Sequence, residues 1–317
     1  ICNARNCSFT IYLYNILIVR MFRKKLIEFE DLYISKIENS TSRKISNFYN
    51  DKPFPNYKEN ENLVTFLNRG DNNLFIRNLK KHVGMGKTIL EVGCGTGQVS
   101  NYLAAQTNNK VFGIDLGINS LKLAQSFANE NNISNVSFIH GDLLDDIFEE
   151  KKFDVIYCSG VLHHTDHPRK GFEKLTKLLK PNGLIIIGLY NLYGRLWTIL
   201  KTKILNFSQL KKYGYLFDNK LKEFRHHQGK YEAWYQDQFQ HPLESQHSFC
   251  ETLDWFDKEK IKLVFSIPST SHEENMDFNS FQDRGNKFFR IFKQILMLFN
   301  YFGKEGGLFI FVGKKCK

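Results

Sequence analysis

The chain has 317 residues, 42% apolar and 24% charged, which excludes wholesale disorder, a collagen-like fibre and a multi-spanning membrane protein. Six cysteines with no CxxC or CxxxC argue against a disulfide scaffold and a cysteine-ligated zinc site, and suit a reducing compartment. The formal charge is +11, from 44 Lys+Arg against 33 Asp+Glu. It is uneven: residues 191–230 carry +7, residues 284–317 carry +7, and the rest sums to −3. A bias toward Lys, Asn, Ile, Phe and Tyr, the residues of AT-rich codons, explains such a charge without function. An acidic partner or a membrane surface is the functional account.

The sequence starts at Ile1, and its first methionine is Met21, followed by Phe22-Arg23-Lys24-Lys25. Residues 1–20 are expected to be a dispensable upstream extension. The apolar run Phe9–Val19 is about half the length of a membrane span, and no small-x-small cleavage site follows it. A cytoplasmic protein is expected.

Residues 22–50 place Leu26, Phe29, Leu32 and Ile37 at roughly helical spacing. Pro53-Phe54-Pro55-Asn56-Tyr57 then forces an extended stretch. A helix-like segment follows, carrying Leu63, Phe66 and Leu67, then Leu74, Ile76 and Leu79. From residue 87 short apolar runs alternate with helix-length segments. The runs are Thr88–Val92, Lys110–Leu116, Val136–His140, Phe153–Cys158 and Leu184–Tyr190. The helices between them are Gln98–Ala105, Ile118–Asn131 and Lys170–Leu179. This alternation predicts a parallel sheet with right-handed crossovers and helices on both faces. Pro181-Asn182-Gly183 turns the chain into the fifth strand.

Residues 191–250 are rich in aromatics and lysine and show no clean strand. Thr252–Ile261 reads as a helix, Lys262–Pro268 as a strand, 269–283 as a loop, 286–300 as an apolar, basic helix and Gly307–Lys314 as a last strand. Segments 191–250 and 269–305 are expected to be insertions at one rim of the sheet.

The sharpest local signal is Ile89-Leu90-Glu91-Val92-Gly93-Cys94-Gly95-Thr96-Gly97-Gln98. A buried strand runs into three alternate glycines and then a helix. Glycine lets the backbone turn tightly and approach a ligand, and the helix start offers free N–H groups. The spacing is neither GxGxxG nor a P-loop. A tight turn without a ligand would use the same residues. Asp115 ends the second strand, where a carboxylate can accept both hydroxyls of a ribose or cap the next helix. Asp142 ends the third strand, where it can help read an adenine edge or close a turn. Features at three successive strand ends converge on one crevice.

These residues resemble the class I S-adenosylmethionine-dependent methyltransferases, on the small-molecule side of that family. Glu91-Val92-Gly93-Cys94-Gly95-Thr96-Gly97 resembles the first family motif. Phe153-Asp154-Val155-Ile156-Tyr157-Cys158-Ser159-Gly160-Val161-Leu162-His163-His164 resembles the fourth-strand motif, and Leu178-Leu179-Lys180-Pro181-Asn182-Gly183-Leu184 the turn before strand five. The likeness is good over 83–190 and loose over 251–315. It implies a Rossmann-like α/β sheet of seven strands with the last antiparallel, and S-adenosylmethionine as cofactor. Glu91, Gly93, Cys94, Gly95, Thr96, Gly97, Asp115, Leu116, Asp142, Leu143 and Ser159 would hold it. The implied organisation is an N-terminal helical cap over 21–82, a donor-binding core over 83–190, a substrate-side insertion over 191–250 and a C-terminal completion of the sheet over 251–317.

Methyl transfer from a sulfonium needs alignment and water exclusion, and a base only when the nucleophile arrives protonated. His163 and His164 are the candidate bases; either ring could instead pack against the cofactor. The run His163-His164-Thr165-Asp166-His167 is not expected to bind a metal. Phe54 and Tyr57 are expected to close over the donor, and Tyr57, Tyr190 and His241 to line the acceptor site. The expected partner is a small-molecule acceptor. A nucleic-acid acceptor is disfavoured because no Asn/Asp-Pro-Pro-Tyr run follows strand four. A donor-binding scaffold, a nicotinamide oxidoreductase and peripheral contact with anionic lipid are the other readings weighed.

Overall fold

The computed structural model describes residues 20–50, 53, 55, 57–58, 61–207, 210–216, 218–272, 274–299 and 307–316. Residues 1–19 and Phe54, on which two of the expectations fall, lie outside the described residues. One nine-stranded sheet organises the rest, in the order β1-β2-β5-β4-β3-β6-β7-β9-β8. The strands are β1 (Ile27–Phe29), β2 (Leu32–Ile34), β3 (Thr88–Val92), β4 (Lys110–Asp115), β5 (Val136–His140), β6 (Phe153–Ser159), β7 (Leu179–Tyr190), β8 (Ile261–Ile267) and β9 (Leu308–Lys315). Strands β2 to β8 run parallel, while β9 is antiparallel to β7 and β8.

Parallel strands covered on both faces need side chains that are apolar in both directions. Strand β3 obeys this. Ile89 enters the apolar cluster on one face, with Val111 and Phe138, while Leu90 and Val92 enter the cluster on the other, with Ile156 and Ile187. The helices are α1 (Ser40–Asn50), α2 (Leu63–Asp71), α3 (Leu74–Val83), α4 (Gln98–Ala104), α5 (Ile118–Glu130), α6 (Pro168–Leu178), α7 (Leu196–Phe207), α8 (Asn219–Glu223), α9 (Gln228–Phe239), α10 (Phe249–Lys258) and α11 (Lys287–Phe299). Asn62 and Ser248 begin α2 and α10 with reciprocal capping boxes to Thr65 and Glu251.

Two expectations need correction. The sheet has nine strands, because residues expected to be helical form the hairpin β1–β2 on the edge beyond β5. Glu30 and Asp31 turn that hairpin with φ of 49° and 61°, a two-residue turn with both residues left-handed. The N-terminal segment is therefore not wholly helical; helix begins at Ser40. The 191–250 segment forms helices α7, α8 and α9 around a small core of Leu205, Leu221, Tyr235 and Phe239.

Candidate active site

The carboxyl ends of β3, β4, β5, β6 and β7 open into one cleft of about 710 Å³, within the usual range for small-ligand sites. Helix α1 supplies one wall through Thr41, Ser42, Ile45 and Tyr49, and the 191–250 helices another through Lys220, Trp234 and Gln238.

At the end of β3, Gly93, Cys94 and Gly95 line the cleft. Gly93 has φ of 66°, and its N–H donates to Ile114 O at 2.8 Å. The three glycines do not share one role. A β-carbon on Gly97 would stand 2.7 Å from Ala124 Cβ and from the Phe138 ring, so its bareness serves helix–sheet packing. Thr96 is fully buried, with its hydroxyl on Pro55 O. Gly97 and Thr96 thus hold the turn from behind and are not among the cleft-lining residues.

Asp115 is gripped by backbone. Gly95 N–H donates to Oδ2 at 2.7 Å, and Gly117 N–H to Oδ1 at 2.7 Å. Burial raises its pKa above the ordinary carboxylate value, against the pull of these backbone donors. The acid therefore ties the glycine turn to the β4 end, and both ends stay in register. Asp142, at the β5 end, accepts from Leu144 N–H at 2.8 Å and from the Ser42 hydroxyl at 2.5 Å. Leu116, Leu143 and Ser159 complete this part of the lining. Ser42 was invisible in the sequence, because nothing local marks residue 42 as a partner of residue 142.

Glu91 is buried at the cleft floor, and Ser100 donates to its Oε2 through both N–H (2.7 Å) and hydroxyl (2.5 Å). Burial pushes its pKa up to about 8, although the Ser100 donors oppose the shift.

The two histidines diverge. His163 is fully buried, rests 4.0 Å from the Tyr190 ring centroid and does not line the cleft. His164 does line it. Its Nδ1 stands 2.7 Å from Leu243 O, an acceptor only, so Nδ1 carries the proton and Nε2 holds the lone pair. Burial lowers the His164 pKa to about 4, so the ring is neutral near pH 7. His241 packs against His164 at 3.6 Å between centroids, tilted by 30°, and, against expectation, is not among the residues that line the cleft. Among the described residues no group of three or more His, Cys, Asp or Glu is arranged to hold a metal ion.

Tyr190 lines the cleft, and its hydroxyl accepts from Gln238 Nε2 at 3.0 Å. Tyr57 corrects an expectation. It lies behind the glycine turn, donating to Thr96 O at 2.7 Å and stacked on Phe127 at 4.2 Å, and it is not part of the lining. Sequence reasoning also missed Arg195. This buried guanidinium grips Glu244 through Nε (2.9 Å) and Nη2 (2.6 Å) and lies 3.8 Å over the Tyr190 ring.

A doubly wound sheet with a glycine turn and two acids at adjacent strand ends defines a nucleoside-binding cleft of the Rossmann-like class. Residues 84–247, just over half of the chain, match the family model of a methyltransferase domain. The chain belongs to that family, whose methyl donor is S-adenosylmethionine. It is 32% identical over 129 residues to phosphoethanolamine N-methyltransferase 2 of Caenorhabditis elegans, covering 40% of this chain and 30% of that protein. It is 34% identical over 103 residues to the ubiquinone biosynthesis O-methyltransferase of Rickettsia akari, covering 32% of this chain and 40% of that protein. Each match thus spans less than half of the curated relative. The fold is shared with PKMT2 from Rickettsia typhi, at a TM-score of 0.53 and 18% identity over 77% of this chain and 54% of that one.

The cleft fits the donor on its own geometry. Gly93, whose missing β-carbon lets Val161 pack against the turn, lines the same cleft as Asp115 and Asp142.

Proposed function

We propose that this cleft transfers a methyl group from S-adenosylmethionine to a small, largely apolar acceptor. The carrying observation is the convergence of Gly93, Asp115 and Asp142 on one cleft whose lining also takes in Ile267 of β8 and Leu308 and Ile310 of β9. The donor supplies a methyl group on a positively charged sulfur, and this chain supplies orientation. Gly93 and Gly95 would admit it closely, Asp115 would hold the ribose hydroxyls, and Asp142 with Leu143 would meet the adenine side. Glu91 would fix the loop at the methionine end.

The acceptor reading rests on the far half of the cleft. Tyr157, Ile267, Leu308 and Ile310 give it apolar walls, while Tyr190 and Gln238 give it polar contacts. His164 is the ring of the histidine pair that reaches this space. A neutral imidazole with its lone pair on Nε2 can take a proton from an acceptor hydroxyl or amine. No observation favours the scaffold or nucleic-acid readings.

The test is calorimetric binding of S-adenosylmethionine and S-adenosylhomocysteine to the wild type and to Asp115→Ala. Binding that the substitution weakens supports the reading. Folded protein that binds neither compound removes it.

A further inference from the structure

Helix α11 turns most of its apolar side chains outward. Phe288, Ile291, Phe292, Ile295 and Phe299 recur at helical spacing and all face solvent, Phe288 being 80% and Phe299 66% exposed. The side turned to the protein carries Met297, buried in the main apolar cluster, and Gln294, 2% exposed, which accepts from Phe249 N–H and from Asn191 Nδ2, both at 2.9 Å. A surface helix of a globular protein ordinarily keeps its apolar stripe on the core side and polar residues outward. The polar Gln294 is fully used in anchoring the helix, so the outward face is not a misplaced core face.

A second apolar stripe adjoins it. Leu192, Leu196, Trp197 and Leu200 are each exposed by 44–48%. The two elements meet where Asn191 bonds Gln294, and where a β-carbon on Gly194 would stand 3.5 Å from Met297 Cβ. Exposed apolar area on this scale marks an interaction surface. Cations flank both stripes: Lys287 stands exposed beside Phe288, and Lys203 stands exposed on α7 just after Leu200.

We propose that this face docks on an anionic lipid bilayer, with the α11 phenylalanines and Trp197 entering the interface and the flanking lysines and arginines meeting the headgroups. An interfacial helix pairs an apolar face with basic flanks in this way. Among the described residues no helix is long and apolar enough to cross a membrane, so attachment would be to the surface. The face also borders the cleft. Asn191 N–H donates to Gly307 O at 2.8 Å, and the neighbours of that pair, Tyr190 and Leu308, line the cleft. Docking would bring the cleft rim to the bilayer surface. This inference stands apart from the methyl-transfer reading, since it needs no donor.

Co-sedimentation of the full chain with phosphatidylcholine vesicles, and with vesicles holding a third phosphatidylglycerol, tests it. Binding to the anionic vesicles is expected, weakening as salt rises, with a blue shift of tryptophan emission. Phe288→Ser/Phe292→Ser should reduce binding at least about tenfold, and Lys287→Glu should reduce it less. Circular dichroism and thermal unfolding of the same variants check their fold. Absence of binding to anionic vesicles overturns the proposal, as does equal binding by a folded Phe288→Ser/Phe292→Ser variant. A concentration-dependent dimer that this variant dissolves, without vesicle binding, would assign the face to a second copy and also overturn it.

Discussion

Gly93 and Val161 face each other across the cleft floor so closely that a β-carbon on Gly93 would stand 2.2 Å from Val161 Cγ2. Valine is branched at its β-carbon and cannot swing aside freely. The β3 turn and the loop after β6 therefore constrain each other.

Gly93→Ala is accordingly expected to abolish measurable donor binding and to lower stability by about 1–3 kcal/mol, because alanine adds strain at φ of 66° to the collision. Gly93→Ala/Val161→Ala removes the 2.2 Å contact, leaves the β-carbon of residue 161 at 3.2 Å and keeps the strained backbone. It should recover part of the binding in calorimetry. Failure of the second change to restore anything would show that backbone angle alone sets the requirement.

The second expectation concerns Asp115. Alanine there releases the Gly95 and Gly117 N–H groups and deletes the proposed ribose contact. Hydrogen bonds to a charged group are worth about 1.5–3 kcal/mol, so donor affinity should fall about 10- to 100-fold. Asp115→Asn keeps one carbonyl acceptor and should fall between wild type and alanine. Equal affinities for all three would take Asp115 out of the donor site.

The central part of this architecture was legible because its signals are local. Strands β3 to β7 announce themselves as short apolar runs, and the glycine turn and both acids sit at their ends. The β1–β2 hairpin was not legible. Its strands are three residues long, and its left-handed turn uses Glu30-Asp31 where Asn-Gly would be the recognisable signal. Ser42, Arg195 and Glu244 were missed because their partners are distant in sequence: Asp142 for Ser42, and each other across 49 positions for Arg195 and Glu244. The adjacent histidines could not be told apart, since one residue of rotation decides which ring enters the cleft.

Glu91 predicts a pH dependence. Its folded pKa, about 8, lies above its ordinary 4.5. The native state favours the protonated carboxyl, so this stabilisation is complete below the unfolded pKa and is lost as pH rises through the folded one. The loss accumulates between about pH 4.5 and 8, with an upper bound of about 5 kcal/mol. The difference in Tm between wild type and Glu91→Gln should therefore shift against the wild type from pH 5 to pH 8. A pH-independent difference would mean that Glu91 is ionised in the fold.

His164 predicts the absence of an inflection. Its pKa of about 4 leaves the ring neutral throughout pH 6–8. If it takes the acceptor proton, His164→Gln should lower kcat about 100-fold, a typical base contribution. The wild-type to variant ratio should be constant over that range. A ratio that changes around pH 6.5 would contradict the neutral ring, and a loss under about threefold would leave His164 a packing role.

Arg195 and Glu244 offer a test of the acceptor wall itself. The guanidinium is 1% exposed and bonds both carboxylate oxygens, Gln238 Oε1 at 2.7 Å and Gln238 O at 3.1 Å. Burial alone would raise the Glu244 pKa, but the Arg195 contact together with the Gln246 amide outweighs it and the net shift is downward. That contribution is therefore present above the unfolded carboxyl pKa and fades as pH falls through the folded one. Removing one partner strands a buried charge, so Arg195→Met should cost about 3–5 kcal/mol in denaturant unfolding at pH 7. Glu244→Met should cost a similar amount. The double variant should cost much less than the two losses added together, because neither charge is then left alone. Donor affinity should be nearly unchanged in the double variant, since neither residue lines the donor end. The acceptor KM should rise, because Tyr190 loses the cation over its ring and Gln238 loses its bond to the guanidinium. Additive losses in stability, or an unchanged KM, would separate this ion pair from the cleft it adjoins.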